Sequence, residues 1–324
     1  MLEVGSSSTD IRDLIRFQSE AVSSHYDLPP KFFAGFLGPR MAYSCAYFID
    51  ENDTLDEAEE NKLLLTAKKL DLREGELLLD IGCGWGSFIF YAAEKFGCRA
   101  IGITVSEEQA AFVNRISEER GLGDRARADV VHVYDMSYPA RYFDKIVTIG
   151  AIEHMDNLHL VFSKSSEILK DDGLMLVHGM TKPWHDREEE LQGITSEVGE
   201  LVKEHFGIGY WKSLWEVMEA LEKSDFEVLD HENITRHYQL TVERWLERLQ
   251  ENEESLIGKV IDEEKYREFL VFMAGYIVGF ETSHTLCNQI LCRKINYGEI
   301  RPALPLTREN IILSPRKERL CKKN

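Results

Sequence analysis

Two patterns of apolar spacing divide this chain. Short apolar blocks at Leu77–Ile81, Arg99–Thr104, Val130–Tyr134, Phe143–Ile149 and Leu174–His178 are separated by stretches with helical spacing. Blocks this short, bounded by turn residues, predict buried strands. Their alternation with helices predicts right-handed crossovers into a parallel sheet. Upstream, residues 11–67 read as helices joined by loops, with an aromatic cluster at Tyr26, Phe32, Phe33, Tyr43, Tyr47 and Phe48. After Pro183 the blocks stop. Residues 185–223 are rich in Glu and mostly helical, interrupted at Gly207-Ile208-Gly209-Tyr210-Trp211, and read as a cap over the sheet's carboxyl edge. Phe226–Leu229 resumes the sheet, and Gln289–Lys294 predicts a last strand. Between them, residues 241–283 predict long helices with apolar stripes at Trp245, Leu246 and Leu249, then at Phe269, Phe272, Met273, Tyr276 and Phe280. The expected organisation is a helical segment (1–70), a core (71–183), an inserted cap (184–225), the rest of the core (226–297) and a tail (298–324).

One turn carries more information than the rest. Leu77-Leu78-Leu79-Asp80-Ile81 runs straight into Gly82-Cys83-Gly84-Trp85-Gly86 and then into an amphipathic stretch from Phe88 to Phe96. A buried strand that turns tightly into a helix leaves free N–H groups at the helix start, and glycines let a ligand approach the backbone. The spacing G-x-G-x-G with Asp80 before it resembles motif I of class I S-adenosylmethionine (SAM) methyltransferases. That resemblance implies an α/β, Rossmann-like fold with a seven-stranded, mostly parallel sheet. After the second strand, Ser106 reads as an N-cap, with Gln109 completing a capping box.

Composition narrows the partners. The formal net charge is −19, which disfavours nucleic acid and broad docking on anionic lipid, and suits a cationic cofactor. The N-terminus lacks a basic start and an apolar stretch, so a cytoplasmic protein is expected. The six cysteines, Cys45, Cys83, Cys98, Cys287, Cys292 and Cys321, have no metal-ligand spacing and read as reduced thiols, with no metal site expected. The basic tail from Arg316 to Lys323 reads as a solvated end.

A longer set of motifs adds a family likeness. His25-Tyr26-Asp27-Leu28, Phe32-Phe33, Tyr43-Ser44-Cys45-Ala46-Tyr47-Phe48, Thr54-Leu55, Glu57-Ala58 and Lys62 resemble the cyclopropane fatty acid synthase family, nearest its mycolic acid branch. The likeness continues through Leu79 to Gly86, Gly102 to Ser106 with Gln109, Ile149 to His154, Leu176-Val177-His178, and His237-Tyr238 with Thr241 and Trp245. It implies that Gly82 and Gly84 pass under the SAM methionine and ribose, with Asp80 ahead of them. Thr104 and Gln109 stand in for the acid that usually follows the second strand. Tyr134 and Asp135 match the adenine contact, and Tyr43 and Ser44 close over the methionine end.

The same resemblance implies chemistry at carbon. Methylating an alkene with SAM makes a carbocation that must be shielded, stabilised and relieved of a proton. The family holds a bicarbonate as the base, and the positions that hold it match Cys45, Glu153, His178 and Tyr238. Glu153 would position His178 and the anion, and Tyr238 would donate a hydrogen bond or face the cation with its ring. Plainer readings stand beside these. Glu153 could cap a helix beginning near Met155, His178 could be a satisfied core residue, and Cys45 reads as a small packed residue. His154 reads as a supporting neighbour.

Departures fall on the acceptor side. Met180 replaces an apolar Ile, Phe206 to Trp211 replaces a Phe-Pro-Gly-Gly turn, and Phe280-Glu281 replaces a Phe-Arg pair. The expected enzyme is a SAM-dependent C-methyltransferase acting on an unsaturated acyl chain or isoprenoid. The acceptor would be free, on a carrier protein, or at a membrane periphery. The alternative is an N- or O-methyltransferase of a small metabolite, since some plant alkaloid N-methyltransferases resemble the family in these motifs. A SAM-binding regulator would need only the cofactor half.

Overall fold

A computed structural model describes residues 28–183, 211–300 and 305–312. The expectations for Tyr26, for Phe206 to Tyr210, for Cys321 and for the basic tail lie outside these residues. Seven strands form one sheet: β1 (Leu77–Ile81), β2 (Arg99–Thr104), β3 (Ala126–Val130), β4 (Phe143–Ile149), β5 (Leu169–Thr181), β6 (Phe226–Asn233) and β7 (Leu286–Lys294). Their order is β3-β2-β1-β4-β5-β7-β6. β1 to β5 run parallel, and β7 enters antiparallel to both β5 and β6. The chain reverses sheet direction beside β1, so β1 and β4 lead to a crevice at their carboxyl ends.

Helices cover both faces because successive strand residues alternate sides. Leu77, Leu79 and Ile81 face α5 (Leu158–Ile168) and α6 (Leu214–Glu222). Leu78 faces the other way, with Leu63 and Ala67 of α2 (Leu55–Lys69), Ile89 of α3 (Ser87–Phe96) and Val113 of α4 (Glu107–Glu119). A further apolar cluster joins α1 (Pro30–Phe33) to α7 (Thr235–Glu251), α8 (Glu253–Leu256) and α9 (Glu263–Glu281). Phe32 packs edge-on against Phe269 at 4.7 Å between ring centroids. Phe32, Phe33, Phe36 and Phe269 are fully buried core residues.

β5, β6 and β7 run longer than the expected blocks Leu174–His178, Phe226–Leu229 and Gln289–Lys294, and three further expectations change. The third strand is Ala126–Val130, not Val130–Tyr134. Buried Ala126 and Ala128 alternate with Arg127 and Asp129, a pattern fainter than the β-branched run after it. That run leaves the sheet and tightens into a 3-10 turn at Val133–Asp135. Secondly, Ser106 caps α4 by accepting from the Gln109 N–H, but the Gln109 side chain does not complete the box. It turns back to Thr104 instead. Thirdly, α6 falls within the stretch expected as a cap, yet Val217 and Leu221 are buried against the sheet and α5, making it an ordinary crossover helix. Among the described residues, no helix is long and apolar enough to cross a membrane.

Candidate active site

The β1 turn opens a cleft of about 1020 Å³, solvent mouth included. Its walls include Tyr43, Ser44, Lys62, Asp80, Gly82, Gly84, Thr104, Gln109, His132 and His154. Gly82 has φ +78°, and a Cβ there would lie 2.5 Å from the Ala151 Cβ. Gly84 has φ +54° with nothing close to it, so the backbone is bare towards the cleft. Asp80 is buried beneath the turn, and its Oδ1 has no hydrogen-bond partner. Burial raises its carboxyl to about 7, against the pull of Lys62. A bare glycine turn over an unpartnered acid fits a ligand that carries positive charge.

Seven of the nine expected cofactor positions line this cleft. Thr104 donates to Gln109 Oε1 at 2.7 Å, and both are buried in its wall. Tyr134 and Asp135 do not line it; Val131, His132 and Val133 do. Tyr134 points into the core, where its hydroxyl accepts from the Asn157 N–H at 2.8 Å, and Asp135 is exposed. A strand that ends four residues early explains the offset.

The Tyr43–Phe48 loop is pinned from two sides. The Thr54 cap and its box with Glu57 start α2. Two turns on, Lys62 reaches Ser44 Oγ at 3.0 Å. Lys62 is fully buried between Glu59, Cys45 and Asp80, and desolvation lowers its pKa. Helix α7 and the end of β6 hold the other side. Thr241 Oγ1 accepts from the Ala46 N–H at 3.0 Å, His237 Nδ1 accepts from the Phe48 N–H at 3.1 Å, and the Tyr47 hydroxyl donates to Glu232 at 2.8 Å. His237, Thr241 and Lys62 thus act together to hold this loop. Lys62 was visible in that motif, but its role emerges only from the packing.

Behind the loop, a second group of side chains converges. Glu153 and His154 occupy one 3-10 turn, Ile152–His154, and face opposite ways. His154 lines the cleft, and burial lowers its pKa to about 4. Glu153 turns towards β5, where its Oε1 accepts from the Met180 N–H at 2.6 Å. Only a glycine fits at 179, since a Cβ would strike Ile152 and press on the Glu153 carboxylate. Glu153 Oε2 is buried without a partner, and burial pushes the carboxyl up to about 7. Glu153 does not cap a helix: Asn157 caps α5.

His178 is buried at the β5 end, with Nε2 3.6 Å from Cys287 Sγ and Nδ1 3.1 Å from Gln289 Nε2. Burial, with Lys62 and Lys69 nearby, holds its pKa well below the ordinary value, so the ring is neutral. Glu153 makes no hydrogen bond to His178; Gln289 and Cys287 flank the ring instead. Ligand atoms of Cys45, His178 and Cys287 lie within 4.8 Å of one another. Tyr238 completes the group. Its ring stacks on Phe280 at 4.8 Å and meets Trp245 edge-on at 6.0 Å. Burial raises its hydroxyl's pKa, and the charges of Cys287, Glu153 and Cys45 raise it further. All four expected catalytic residues thus lie close together around Cys287. Cys287 and Gln289 join them from the final strand, where sequence carried no signal for them.

This geometry has known counterparts. The family model for mycolic acid cyclopropane synthetase matches residues 15–290. The chain belongs to this family. Its relatives include a probable fatty acid methyltransferase of Pseudomonas putida, 33% identical over 91% of this chain and 74% of that protein. Cyclopropane mycolic acid synthase 3 of Mycobacterium tuberculosis is 33% identical over 84% of this chain and 96% of its own length. The crystal structure of mycolic acid cyclopropane synthase CmaA1, complexed with SAH and CTAB, superposes with a TM-score of 0.80 at 31% identity, covering 85% of this chain and 98% of that one. This member of the mycolic acid cyclopropane synthase family is a SAM-dependent methyltransferase, with the Rossmann-like fold of CmaA1.

Proposed function

We propose that this enzyme methylates an alkene carbon of an apolar acceptor, an unsaturated acyl chain or an isoprenoid, and quenches the resulting carbocation in the pocket around Glu153. The observation that carries this reading is the unpartnered, buried Oε2 of Glu153 near Tyr238 and Cys287, where Cys45 and neutral His178 also gather. Heteroatom methylation leaves no carbocation and needs no such pocket. The lipid acceptors named for the relatives, mycolic and fatty acids, point the same way.

In this reading SAM supplies the electrophilic methyl group from the cleft. Asp80 balances its positive charge, Gly82 and Gly84 allow close approach, Thr104 and Gln109 meet the ribose, and Tyr43 and Ser44 cover the methionine end. Val131 to Val133, rather than Tyr134 and Asp135, receive the adenine. Cys45, Glu153, His178 and Tyr238 would hold a bicarbonate, whose chemistry is that of a base. The Glu153 carboxyl, raised to about 7, can take up and release a proton near neutral pH through its free Oε2, a capacity that an amide lacks. The Tyr238 face attracts developing positive charge. Phe280, Trp245 and Met180 exclude water on the acceptor side.

The assignment of Asp80 predicts a pH dependence. In the empty protein its carboxyl takes a proton below about 7, and only the ionised form attracts the sulfonium. SAM binding should therefore tighten by roughly tenfold from mildly acid to neutral pH. Calorimetry of Asp80→Asn should show weaker binding with that slope removed.

The reaction itself is tested with methyl-deuterated SAM. Unsaturated phospholipid vesicles, unsaturated acyl-carrier species and prenyl diphosphates serve as acceptors, each with and without bicarbonate, read by mass spectrometry. A product that keeps two deuteriums marks a ring or methylene, and three mark a methyl branch. Label found only on nitrogen or oxygen of small molecules would overturn the reading.

A further inference from the structure

His178 sits in a row of side chains that crosses three strands. In the ladders, Glu232 of β6 pairs with Gln289 of β7, and Gln289 pairs with His178 of β5. Lys69, at the end of α2, lies over this row and is 2% exposed. Its Nζ contacts Glu232 Oε2 at 2.6 Å and Gln289 Oε1 at 2.9 Å, with Asp230 at 3.6 Å.

The polarity of this chain is fixed by its first member. An ammonium paired with two carboxylates only donates, so the atom of Gln289 that faces it is the oxygen. The amide NH2 then faces His178 Nδ1 and donates to it at 3.1 Å. A ring nitrogen that accepts carries no proton. In a neutral imidazole the proton is therefore on Nε2, which points at Cys287 Sγ, 3.6 Å away.

We propose that Gln289, oriented by Lys69, is a positioning residue that locks His178 in the Nε2–H tautomer and aims that N–H as a hydrogen-bond donor into the pocket of Cys45, Cys287, Glu153 and Tyr238. The same polarity decides what the pocket takes. Cys45, His178 and Cys287 are close enough together to hold a metal ion. A metal on Nε2 needs that nitrogen bare and Nδ1–H donating to an acceptor. Gln289 presents a donor there, so the row favours a ligand that accepts hydrogen bonds, an oxyanion. The effect on turnover rests on the reading of this pocket as the reaction centre; the tautomer does not.

The test is the isosteric exchange Gln289→Glu. A carboxylate keeps the contact with Lys69 but accepts from the ring, drawing the proton to Nδ1. Nitrogen-15 histidine labelling, with long-range proton–nitrogen correlation on the substrate-free protein and His178 assigned through His178→Gln, reads the tautomer directly. Wild-type protein should show a protonated Nε2 and a bare Nδ1. Gln289→Glu should show a protonated Nδ1, with kcat lower by roughly a hundredfold and KM for SAM little changed. Lys69→Arg, still donor-only, should keep the wild-type signature, and Lys69→Met should mix the tautomers. A protonated Nδ1 in wild type, or an unmoved signature in Gln289→Glu, would overturn the assignment. If the proton moves and turnover holds, the tautomer stands and the pocket's part in the reaction falls.

Discussion

Glu153→Gln should reduce methyl transfer by roughly a thousandfold while leaving SAM affinity within about twofold of wild type. The split follows from the 3-10 turn at Ile152–His154. Glu153 turns away from the cofactor cleft and towards Met180, and the cleft wall at this point is His154. The amide oxygen still accepts from the Met180 N–H, so the turn and its neighbour strand persist. What disappears is the titrating Oε2, the buried oxygen without a partner. Calorimetry with SAM and a single-turnover assay on the same preparation separate the two effects. Turnover that survives the exchange would remove Glu153 from the chemistry, and SAM binding that falls with it would show that the two chambers are not independent.

The second large effect is on stability. Lys62→Met should destabilise the protein by about 3–5 kcal/mol above neutral pH, the range seen when one partner of a buried charge cluster is removed. Lys62 is the cation that faces both Glu59 and Asp80. Each of these carboxyls is already raised to about 7 by burial, and each rises further without Lys62. A carboxyl whose folded pKa lies above its unfolded value stabilises the fold below the unfolded pKa and loses that contribution as pH rises through the folded one. In Lys62→Met that loss moves to higher pH and grows. In mild acid both carboxyls are protonated, and the exchange also removes a buried ammonium. The penalty should therefore be small near pH 5.5 and large near pH 8. Denaturant titrations at the two pH values check this, and equal penalties would mean that lost packing, not charge, sets the effect.

Much of the fold was legible because two signals coincided. β1, β2 and β4 begin and end where the apolar blocks do, since each is buried on both faces and bounded by turn residues. β3 was misplaced because its inward residues are alanines, weak beside the valines that follow. The expected catalytic four came together because they belong to motifs. Gln289 stayed hidden, because its importance lies in a cross-strand pairing with His178, 111 positions away. Lys69 stayed hidden likewise, since its partners Glu232 and Gln289 come to it only across the folded sheet. The Gln109 side chain was misread for a similar reason: a nearby Thr104 outcompeted the local box.

The two walls where neighbouring residues face different chambers set a rule for how this protein can vary. Ser44 meets Lys62, whereas Cys45 points to Ile234; His154 borders the cleft, whereas Glu153 borders Met180. In both places a single inserted or deleted residue would exchange the contents of the chambers, even if every side chain were kept. Met180 and the residues of α9 lie outside both spacings, so their identity can change without moving either wall. The number of residues from Tyr43 to Phe48 and from Ile149 to Met155 decides which side chain meets which neighbour, so here spacing matters as much as identity.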